Sequence, residues 1–583
     1  MESLLVRMCI EAATESAVAV DKWRRQRRTL ERMPSHLAEA LLRHLLHRRM
    51  LYPSLLEVFK YSVEAIDLRG ESFVDAEWMA YLGAFRYLNS LILSDCHKIN
   101  NAALWNITGM TILKEMDLSR CSKITDAGIQ HLLSLPALEK LRISETGVTA
   151  DGVAILASLQ NLLLLDLGGL PVTDSALNSL QTLTKLQHLD LWGSEVSNDS
   201  AIVLKMFPNL SFLNLAWTNV TTLPNLPSLT CLNMSNCTID SLSEGEDQKP
   251  RLEKVIFSGA IISNISEAFQ HVETSRLSYL DMSNSALQSY SFLSSMNAMS
   301  DLNLSGSGLV DDSVEHIVRI GPSLKHLNLN NTKVSSEGVN TLAGHVPNLE
   351  TLLLSGTPID DAAVSFISMM PALKVVDLSR THVKGLMQLG SAPDEVPSFS
   401  ALESLNHLES LDLELLHIKD AAVRPLTNMS RLSYLSLRSV SLTDEALYHI
   451  SSAAQLTHLG VRDAVVTDIG LDAFAPPTAL EILDLRGCWL LTKDVLLHFC
   501  QKHPQLEVRH EFLDKIKEHS SPSRATTRTP KSKNRPGRMF APPLGSGQNF
   551  LDQRLKYSRE ELLGLQSSPT VIPTSGTQSN SLP

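Results

Sequence analysis

The chain has 583 residues, of which 43% are apolar and 20% are charged, so most of it can bury a core. Its net charge of −12 is unevenly distributed, because residues 520–583 contain nine Lys/Arg and three Asp/Glu. That stretch carries +6, which leaves −18 for residues 1–519. A basic tail on an acidic body is typical of proteins whose tail contacts phosphates, membranes or acidic proteins.

Three features argue against secretion and membrane insertion. Arg7 and Glu11 interrupt the apolar region that a signal peptide needs. No later stretch approaches the roughly 18 apolar residues of a membrane span. The seven cysteines lack the paired spacing of a disulfide framework. We therefore expect a cytoplasmic protein without a membrane partner, and a nuclear location is the alternative.

The first predicted element, residues 1–62, is a helical region. It contains two helical patterns, and Pro34 lies near the first turn of the second, where proline is favoured. One interpretation is a helical cap on the repeats that follow. The other is an adaptor-binding region, because the segment resembles the elongin-binding and cullin boxes of cullin-ligase receptors and, in part, an F-box. The residues that this resemblance places at an adaptor are Leu5, Cys9, Ala13, Leu37 and Leu41.

The next region repeats the pattern LxxLxL, in most places every 24 or 25 residues. In a strand, the fourth and sixth positions point inward, and the third, fifth and seventh line the opposite face. In the second half of a typical repeat, Thr125 is placed to cap a helix and Asp126 suits its positive end. The repeats begin at Leu88, Leu113, Leu138, Leu162, Leu186, Leu210, Leu229, Leu252, Leu277, Met299, Leu324, Leu349, Leu373, Leu408, Leu432, Leu456 and Leu480, with degenerate copies near Val63 and Leu506.

Small side chains that can donate a hydrogen bond recur at the ninth repeat position, which predicts an internal ladder. This register resembles the ribonuclease-inhibitor-like, cysteine-containing class of leucine-rich repeats over about residues 63–510. The resemblance implies an α/β solenoid with a curved parallel sheet on the concave face and helices on the convex face. The cysteines at this position are Cys96, Cys121, Cys237 and Cys488, and the threonines are Thr146, Thr218, Thr332, Thr357 and Thr381.

The fifth repeat position is rich in Asp and Asn. Because the recurrence follows the repeat and not a pocket, we interpret these side chains as a solvated concave face. The sequence contains no Walker loop, no dinucleotide fingerprint and no His-Glu-x-x-His motif. We therefore expect a binding protein that is not an enzyme and that has no cofactor or metal. The fifth-position residues are Asp117, Asp166, Asp190, Asn214, Asn233, Asp281, Asn303, Asn328, Asp377, Asp412 and Asp484.

Aromatic side chains are the first candidates for partner binding on the concave face. Trp192, Phe212 and Trp217 fall in consecutive repeats, with His188 on the same face. Tryptophan at a position usually held by Gly or Ala indicates a binding hot spot. The alternative is that these rings pack against each other where the solenoid bends.

The repeat that begins at Leu373 is longer than the others, and we expect residues 390–407 to form an exposed loop. The array is thereby divided into a first block at 63–389 and a second block at 408–519. From about Ser520 the periodicity stops, and Pro, Ser, Thr and Arg dominate the sequence. This composition predicts a disordered tail at 520–583.

In the second block, Arg438, Arg462 and Arg486 occupy the seventh position of three successive repeats, with Tyr434 and His458 upstream in the same units. Neighbouring strands lie about 4.8 Å apart, so the three guanidinium groups are predicted to form a cationic column. The column is expected to capture an acidic partner or, alternatively, to be neutralised within the chain. The acids available for neutralisation are Asp412, Glu414, Asp463 and Asp484.

Residues 557–564 of the tail have the features of a short helix that forms on a partner. Ser558 and Glu561 make a capping box, and Tyr557 and Leu562 make the matching hydrophobic staple. Tyr557, Leu562 and Leu563 are then the apolar anchors. Many translation regulators bind the cap-binding initiation factor through this Tyr-x4-Leu-apolar pattern.

A leucine-rich-repeat body followed by this motif resembles the CERES class of plant translation regulators. The resemblance implies a scaffold that binds the cap-binding factor (four E type) and other initiation-complex proteins and promotes translation initiation. The alternative is a substrate receptor of a cullin-RING ubiquitin ligase, with the N-terminal helices on the adaptor. No direct nucleic-acid binding is expected beyond a weak contact of the basic tail.

Overall fold

The structure is a computed structural model that describes residues 4–25, 33–244, 249–388 and 395–513. The chain divides into two compact units, Met1–Met299 and Ser300–Pro583. This division differs from the one expected at 390–407. The reason is that the parallel sheet of the second unit continues past the insertion, because Val375 pairs directly with Ser410.

The described part of the first unit begins with α-helices, and the helix at Ser35–His47 buries aliphatic side chains, among them Leu41, Leu42 and Leu45. Short helices then alternate with strands. Its α-helices are α1 (Leu4–Ala13), α2 (Ala17–Arg24), α3 (Ser35–His47), α4 (Ala76–Leu82), α5 (Asn101–Leu104), α6 (Asp126–Leu132), α7 (Ala150–Ala154), α8 (Asp174–Ser179), α9 (Asn198–Ala201) and α10 (Ile265–Ala268). Its 3-10 helices are Pro53–Val58, Trp105–Ile107, Ile155–Ser158, Leu180–Thr182, Ile202–Met206, Thr274–Arg276 and Ser291–Ser295.

The strands of the first unit are mostly three residues long. They are β1 (Ala65–Asp67), β2 (Ser90–Ile92), β3 (Glu115–Asp117), β4 (Lys140–Arg142), β5 (Leu164–Asp166), β6 (His188–Asp190), β7 (Phe212–Asn214), β8 (Thr222–Pro224), β9 (Cys231–Asn233), β10 (Thr238–Ile239), β11 (Ser241–Glu244), β12 (Lys254–Ile256), β13 (Ile261–Ile262) and β14 (Tyr279–Asp281). β1 to β7, β9, β12 and β14 pair in that order as one parallel sheet. β8 pairs with β11 and β10 with β13, both in parallel.

The strands of the second unit are β15 (Asp301–Asn303), β16 (His326–Asn328), β17 (Thr351–Leu353), β18 (Val375–Asp377), β19 (Leu386–Gln388), β20 (Glu395–Pro397), β21 (Ser410–Glu414), β22 (Tyr434–Arg438), β23 (His458–Arg462), β24 (Ile482–Asp484) and β25 (Glu507–Arg509). β15 to β18 and β21 to β25 pair in chain order as a parallel sheet. Its α-helices are α11 (Val314–Ile320), α12 (Ser336–Leu342), α13 (Ala362–Ile367), α14 (Asp420–Val423), α15 (Asp444–Ile450), α16 (Asp468–Ala473) and α17 (Lys493–Lys502), and its 3-10 helices are Asp311–Ser313, Gly321–Ser323, Ser398–Ser404 and Arg424–Asn428.

The segment predicted as a loop at 390–407 is partly regular structure. β20 pairs antiparallel with β19, and the 3-10 helix Ser398–Ser404 follows directly. Phe399 and Leu402 of that helix are buried. Their spacing of three residues places both on one face of a 3-10 helix, which explains why this stretch packs against the repeats.

The core of each unit is formed by the fourth and sixth repeat positions, as predicted. Leu91 and Leu93 of one repeat, and Leu327 and Leu329 of another, are fully buried. Replacing such a leucine by alanine costs about 2–5 kcal/mol, because it leaves a cavity as well as losing burial. The predicted α/β leucine-rich-repeat fold is therefore confirmed for the repeats.

The ninth position forms the expected ladder, but Cys and Thr use it differently. The Cys121 thiol donates to the carbonyl of Leu93 in the preceding repeat, at 3.2 Å, and Cys488 donates to Val461 in the same way. Thr332, in contrast, donates to Leu329 of its own repeat. Burial raises the pKa of Cys121 and Cys488 to about 12, so these thiols stay neutral.

A second ladder joins the helix N-termini of successive repeats. The carboxylate of Asp126, the first residue of α6, accepts hydrogen bonds from the backbone N–H and hydroxyl of Thr149, which precedes α7. Thr125 occupies the N-cap position as predicted, but its hydroxyl does not cap α6 and instead accepts from Asn101. The same acid-to-cap pairing occurs for Asp174 with Ser197, Asp311 with Ser335, Asp420 with Thr443, Asp444 with Thr467 and Asp468 with Thr492.

Candidate functional site

The fifth-position side chains are structural, which corrects the interpretation of a solvated face. Asp117, Asn214 and Asp281 are buried. Each accepts a hydrogen bond from the backbone N–H two residues later, for example Ser119 N–H to Asp117 Oδ1 at 2.9 Å. The carboxylate or amide thus satisfies an amide group where the chain leaves the strand. Both Asp and Asn provide the required oxygen, which explains why the position alternates between them.

The residue three positions after the end of most of these strands has left-handed backbone. This residue is the eighth of the repeat. Glycine holds it in several repeats, including Gly169, Gly193 and Gly259, because glycine adopts positive φ without a steric cost. Other repeats place Asp, Asn, Arg, Glu or Leu there, and one places Trp217, with φ of 61°.

The three arginines of the predicted cationic column are all paired with carboxylates. Arg438 Nε lies 2.5 Å from Asp463, and Arg462 lies 3.1 Å from Glu414. Arg486 forms an ion pair with Asp484. The side chains of the Arg462–Glu414 pair are 24% and 21% exposed, so the pair is only partly screened by solvent. This geometry matches the alternative of internal neutralisation, and three of the four acids expected for it take part.

The fourth acid, Asp412, has no arginine in direct contact. Burial and the neighbouring carboxylate of Asp377 raise the pKa of Asp412 to about 7, against the influence of Arg462. Burial also raises the pKa of Asp377. Asp484 shows the opposite result, because hydrogen bonds from Arg486 outweigh burial and lower its pKa. The sheet face of the second unit is therefore a mixed network of acids and arginines and not a cationic column.

Tyr434 and His458 lie on the same sheet face, upstream of the arginines. They occupy paired positions on β22 and β23, and their ring centroids are 6.1 Å apart. Burial, followed by the charge of Asp412, raises the pKa of the Tyr434 hydroxyl. Both rings are half-buried, so their exposed edges remain accessible to a partner.

The aromatic cluster of the first unit is not one continuous stack. Phe212 is buried and stacks on His188, with ring centroids 5.4 Å apart. Trp192 lies across Gly168, where an added β-carbon would be 2.0 Å from its indole nitrogen. Trp217 is 44% exposed. The alternative in which the two indoles pack against each other is not observed among the described ring contacts, and Trp217 is the member most accessible to a partner.

The N-terminal helices do not present all five predicted adaptor residues on one surface. Leu5 is 71% exposed and Cys9 is exposed, whereas Leu41 is buried in the core of the helical region. Ala13 and Leu37 are half-buried. The helical pattern did not distinguish the buried face from the exposed face, because both carry apolar residues at the same spacing.

The same helices cap the first repeat through a residue that the sequence did not indicate. Each inner strand donates two backbone N–H groups to one carbonyl of the preceding repeat, as Asn89 and Ser90 donate to Glu64. Glu64 and Ala65 have no preceding repeat, and their N–H groups donate to the Glu39 carboxylate at 3.1 and 3.0 Å. Glu39 thus replaces the missing carbonyl. This capping carboxylate occurs once and lies before the repeats, so the periodicity of the sequence could not predict its role.

The predicted tail motif, with anchors Tyr557, Leu562 and Leu563 and caps Ser558 and Glu561, lies outside the described residues. Within the described ranges no group of three or more His, Cys, Asp or Glu side chains could hold a metal ion. In the same described ranges, no helix is both long and apolar enough to span a bilayer.

Comparisons with known proteins show that the repeats are similar to known leucine-rich repeats. A family model described as Leucine Rich repeat matches residues 322–343. Acidic leucine-rich nuclear phosphoprotein 32-related protein 2 of Caenorhabditis elegans is 28% identical over 144 residues, which are 23% of this chain and 61% of that protein. This chain therefore spans less than two thirds of that relative.

Two solved structures illustrate the similarity of the fold. An internalin of Listeria monocytogenes gives a TM-score of 0.40 at 18% identity, covering 66% of this chain and 88% of its own. The mouse RP105/MD-1 complex gives 0.46 at 15% identity, covering 77% and 89%. The strand-and-helix repeat, its inward leucines and the match at 322–343 together identify the repeats of this chain as leucine-rich repeats.

Proposed function

We propose that this chain is a protein-binding scaffold that regulates translation initiation. In this proposal the tail motif docks the cap-binding initiation factor, and the sheet faces of the repeats recruit further partners. Leucine-rich-repeat folds generally bind proteins and act as non-enzymatic interaction scaffolds. The translation role is supported by one sequence observation, which is Tyr557 followed by Leu562 and Leu563 with both helix caps in place.

The repeats support the scaffold role in this proposal because their sheet faces carry side chains that a partner can contact. Their sheet faces carry half-buried polar and aromatic groups, such as Tyr434 and His458, on a backbone fixed by parallel pairing. A rigid surface of this kind loses little conformational entropy when a partner binds. Trp217 in the first unit adds an exposed aromatic group of the type that dominates binding energy at protein interfaces.

A binding assay with the full chain tests the translation role. We expect the wild type to bind purified cap-binding factor, and Tyr557→Ala to lose at least about thirtyfold in affinity, because a buried aromatic anchor contributes about 2 kcal/mol or more. Tyr448→Ala is the matched control, since this tyrosine is 78% exposed on α15, outside the motif. Equal affinity of Tyr557→Ala and the wild type would rule out the motif as the docking site.

A second candidate function is substrate recognition for a cullin-RING ligase, because α1 has an exposed apolar face. Leu5 and Met8 are 71% and 58% exposed, and Cys9 is exposed beside them. Their spacing places them on one side of the helix. Purified elongin, Skp-type adaptor and cullin should bind the wild type but not Leu5→Asp/Met8→Asp if this function holds. Absence of binding to all three would leave the N-terminal helices with the capping role alone.

A further inference from the structure

The carboxyl ends of four neighbouring strands in the second unit carry exposed apolar side chains. Leu415 follows β21, Val440 follows β22, Val465 follows β23 and Trp489 follows β24. Leu415, Val440 and Trp489 are 42%, 65% and 71% exposed, and Val465 is half-buried. We name these four side chains the exit ridge. A row of exposed apolar groups that includes a tryptophan marks an interaction site more often than a free surface.

Backbone hydrogen bonds between neighbouring repeats continue past the strand ends. Leu415 N–H donates to the Arg438 carbonyl at 2.9 Å, and Asp463 N–H donates to Arg486 at 3.1 Å. Neighbouring strands are about 4.8 Å apart, so the four repeats that carry the ridge extend over roughly 14 Å. A helix of eight residues is about 12 Å long. The ridge thus matches the length of the tail motif at 557–564.

The tail is attached next to this ridge. β25 pairs with β24, and the description of the chain ends four residues after β25, at Leu513. Tyr557 follows Leu513 by 44 positions, and a chain of that length can reach up to about 145 Å. The far end of the ridge is four strand spacings from β25, or about 19 Å. The motif can therefore reach every residue of the ridge.

Charge also favours the tail as the occupant. Residues 300–513 contain 15 Lys/Arg and 26 Asp/Glu, whereas residues 514–583 contain 11 Lys/Arg and five Asp/Glu. Residues 300–513 are thus at −11 and residues 514–583 at +6, and opposite charges attract over several ångströms. The arginines beside the ridge do not oppose this attraction, because Arg438 and Arg486 are paired with Asp463 and Asp484.

We propose that the tail segment 557–564 binds in cis to the exit ridge, with Tyr557, Leu562 and Leu563 against its apolar side chains. The contact hides the anchors and competes with the cap-binding factor, and this regulatory consequence rests on the proposed function. A tether of this length gives an effective concentration on the order of 1 mM. A cis contact with a Kd of about 1 mM therefore occupies about half of the molecules, enough to regulate without preventing factor binding.

Hydrogen–deuterium exchange of the full chain tests the cis contact without the factor. We expect amides of residues 548–568 to exchange about twofold more slowly in the wild type than in the isolated peptide, and Val440→Ser/Trp489→Ser to remove the difference. Tyr448→Ser/Ile469→Ser is the matched control, because these residues are 78% and 83% exposed on α15 and α16, off the ridge. The proposal would be overturned if residues 548–568 exchanged as fast in the wild type as in the isolated peptide. It would also be overturned if the control variant removed the difference as well.

Affinity for purified cap-binding factor separates the cis contact from the proposed function. We expect the full-length ridge variant, Val440→Ser/Trp489→Ser, to bind the factor about twofold more tightly than the wild type, and the control variant to bind like the wild type. If no variant binds the factor but the exchange difference is present, the proposed function fails and the cis contact stands. If wild type and ridge variant bind equally and exchange equally, the cis contact fails and the proposed function stands.

Discussion

The indole of Trp192 lies directly on the backbone of Gly168, so that a β-carbon at residue 168 would be 2.0 Å from Trp192 Nε1. The two residues occupy the seventh position of neighbouring repeats. The Trp192 indole can therefore lie there only because residue 168, in the preceding repeat, has no side chain.

Gly168→Ala should displace Trp192 and destabilise the first unit by about 1–3 kcal/mol, the usual cost of overpacking. The emission of Trp192 should shift to longer wavelength, and the thermal unfolding midpoint should fall. Gly109→Ala is the control, because nothing lies within 4 Å of a β-carbon added there. Equal unfolding midpoints for the two variants would show that the indole moves aside at no cost.

Asp412→Asn should stabilise the second unit, and more so at pH 8 than at pH 5. The folded-state pKa of Asp412 is about 7, above its ordinary value of 3.8, so the folded protein binds a proton that the unfolded chain releases between these values. Stability from this group is present at low pH and is lost as the pH rises through 7. Asn keeps the oxygen that accepts from Glu414 N–H and removes the buried charge. The expected gain at pH 8 is on the order of 1–3 kcal/mol.

Chemical denaturation of wild type and Asp412→Asn at both pH values measures this effect. Asp472→Asn serves as the comparison, since Asp472 is an exposed aspartate in the same unit. A gain that is the same at pH 5 and pH 8 would contradict the titration of Asp412 near neutrality.

Arg462→Met should destabilise the second unit, and Glu414→Gln in addition should recover part of the loss. The single change leaves a half-buried carboxylate without its guanidinium, whereas the double change removes both charges. We expect a coupling energy of about 1–3 kcal/mol from the double-mutant cycle. The same cycle on Arg276 and Glu253, whose side chains are 54% and 41% exposed, should give less than about 1 kcal/mol. Equal coupling in the two pairs would show that burial does not strengthen the first.

Glu39→Ala should expose the edge of the first repeat. Two backbone amides, of Glu64 and Ala65, lose their acceptor, and their hydrogen exchange should accelerate at least about tenfold, since an unpaired edge opens locally. Glu39→Gln retains one oxygen and should show a smaller effect. Unchanged exchange in Glu39→Ala would mean that solvent replaces the carboxylate without loss of protection.

Periodicity was sufficient to predict the fold because burial repeats with the sequence. Leu91 and Leu93 are buried as expected, and so are their counterparts in other repeats. The ladder at the ninth position also followed from residue type alone, although the acceptor of Cys121 in the preceding repeat did not. That acceptor depends on how closely two backbones approach after the strand ends.

The functional side chains were harder to predict, because their roles depend on neighbours outside the repeat pattern. Asp117 was expected in solvent, but the backbone N–H of Ser119 turns toward it at the strand exit and draws it inward. The sequence left open whether Arg438 binds a partner or is neutralised within the chain, and it pairs with Asp463, which lies in the turn after the next strand and has left-handed backbone. In both cases, the backbone conformation of the turn after a strand determines which group the side chain contacts.

The ladder between helix N-termini has a consequence for how this array can change in length. Asp420 bonds to Thr443, Asp444 to Thr467 and Asp468 to Thr492, so each acid serves the cap of the following unit. Excision of residues 444–467 in frame would join Thr443 to Asp468 and leave each remaining acid with its own recipient. After a duplication of the same 24 residues, every acid would likewise have a cap residue in the following unit to bond to. The bonding scheme thus makes the array modular, so that whole units can be gained or lost while the junctions remain satisfied.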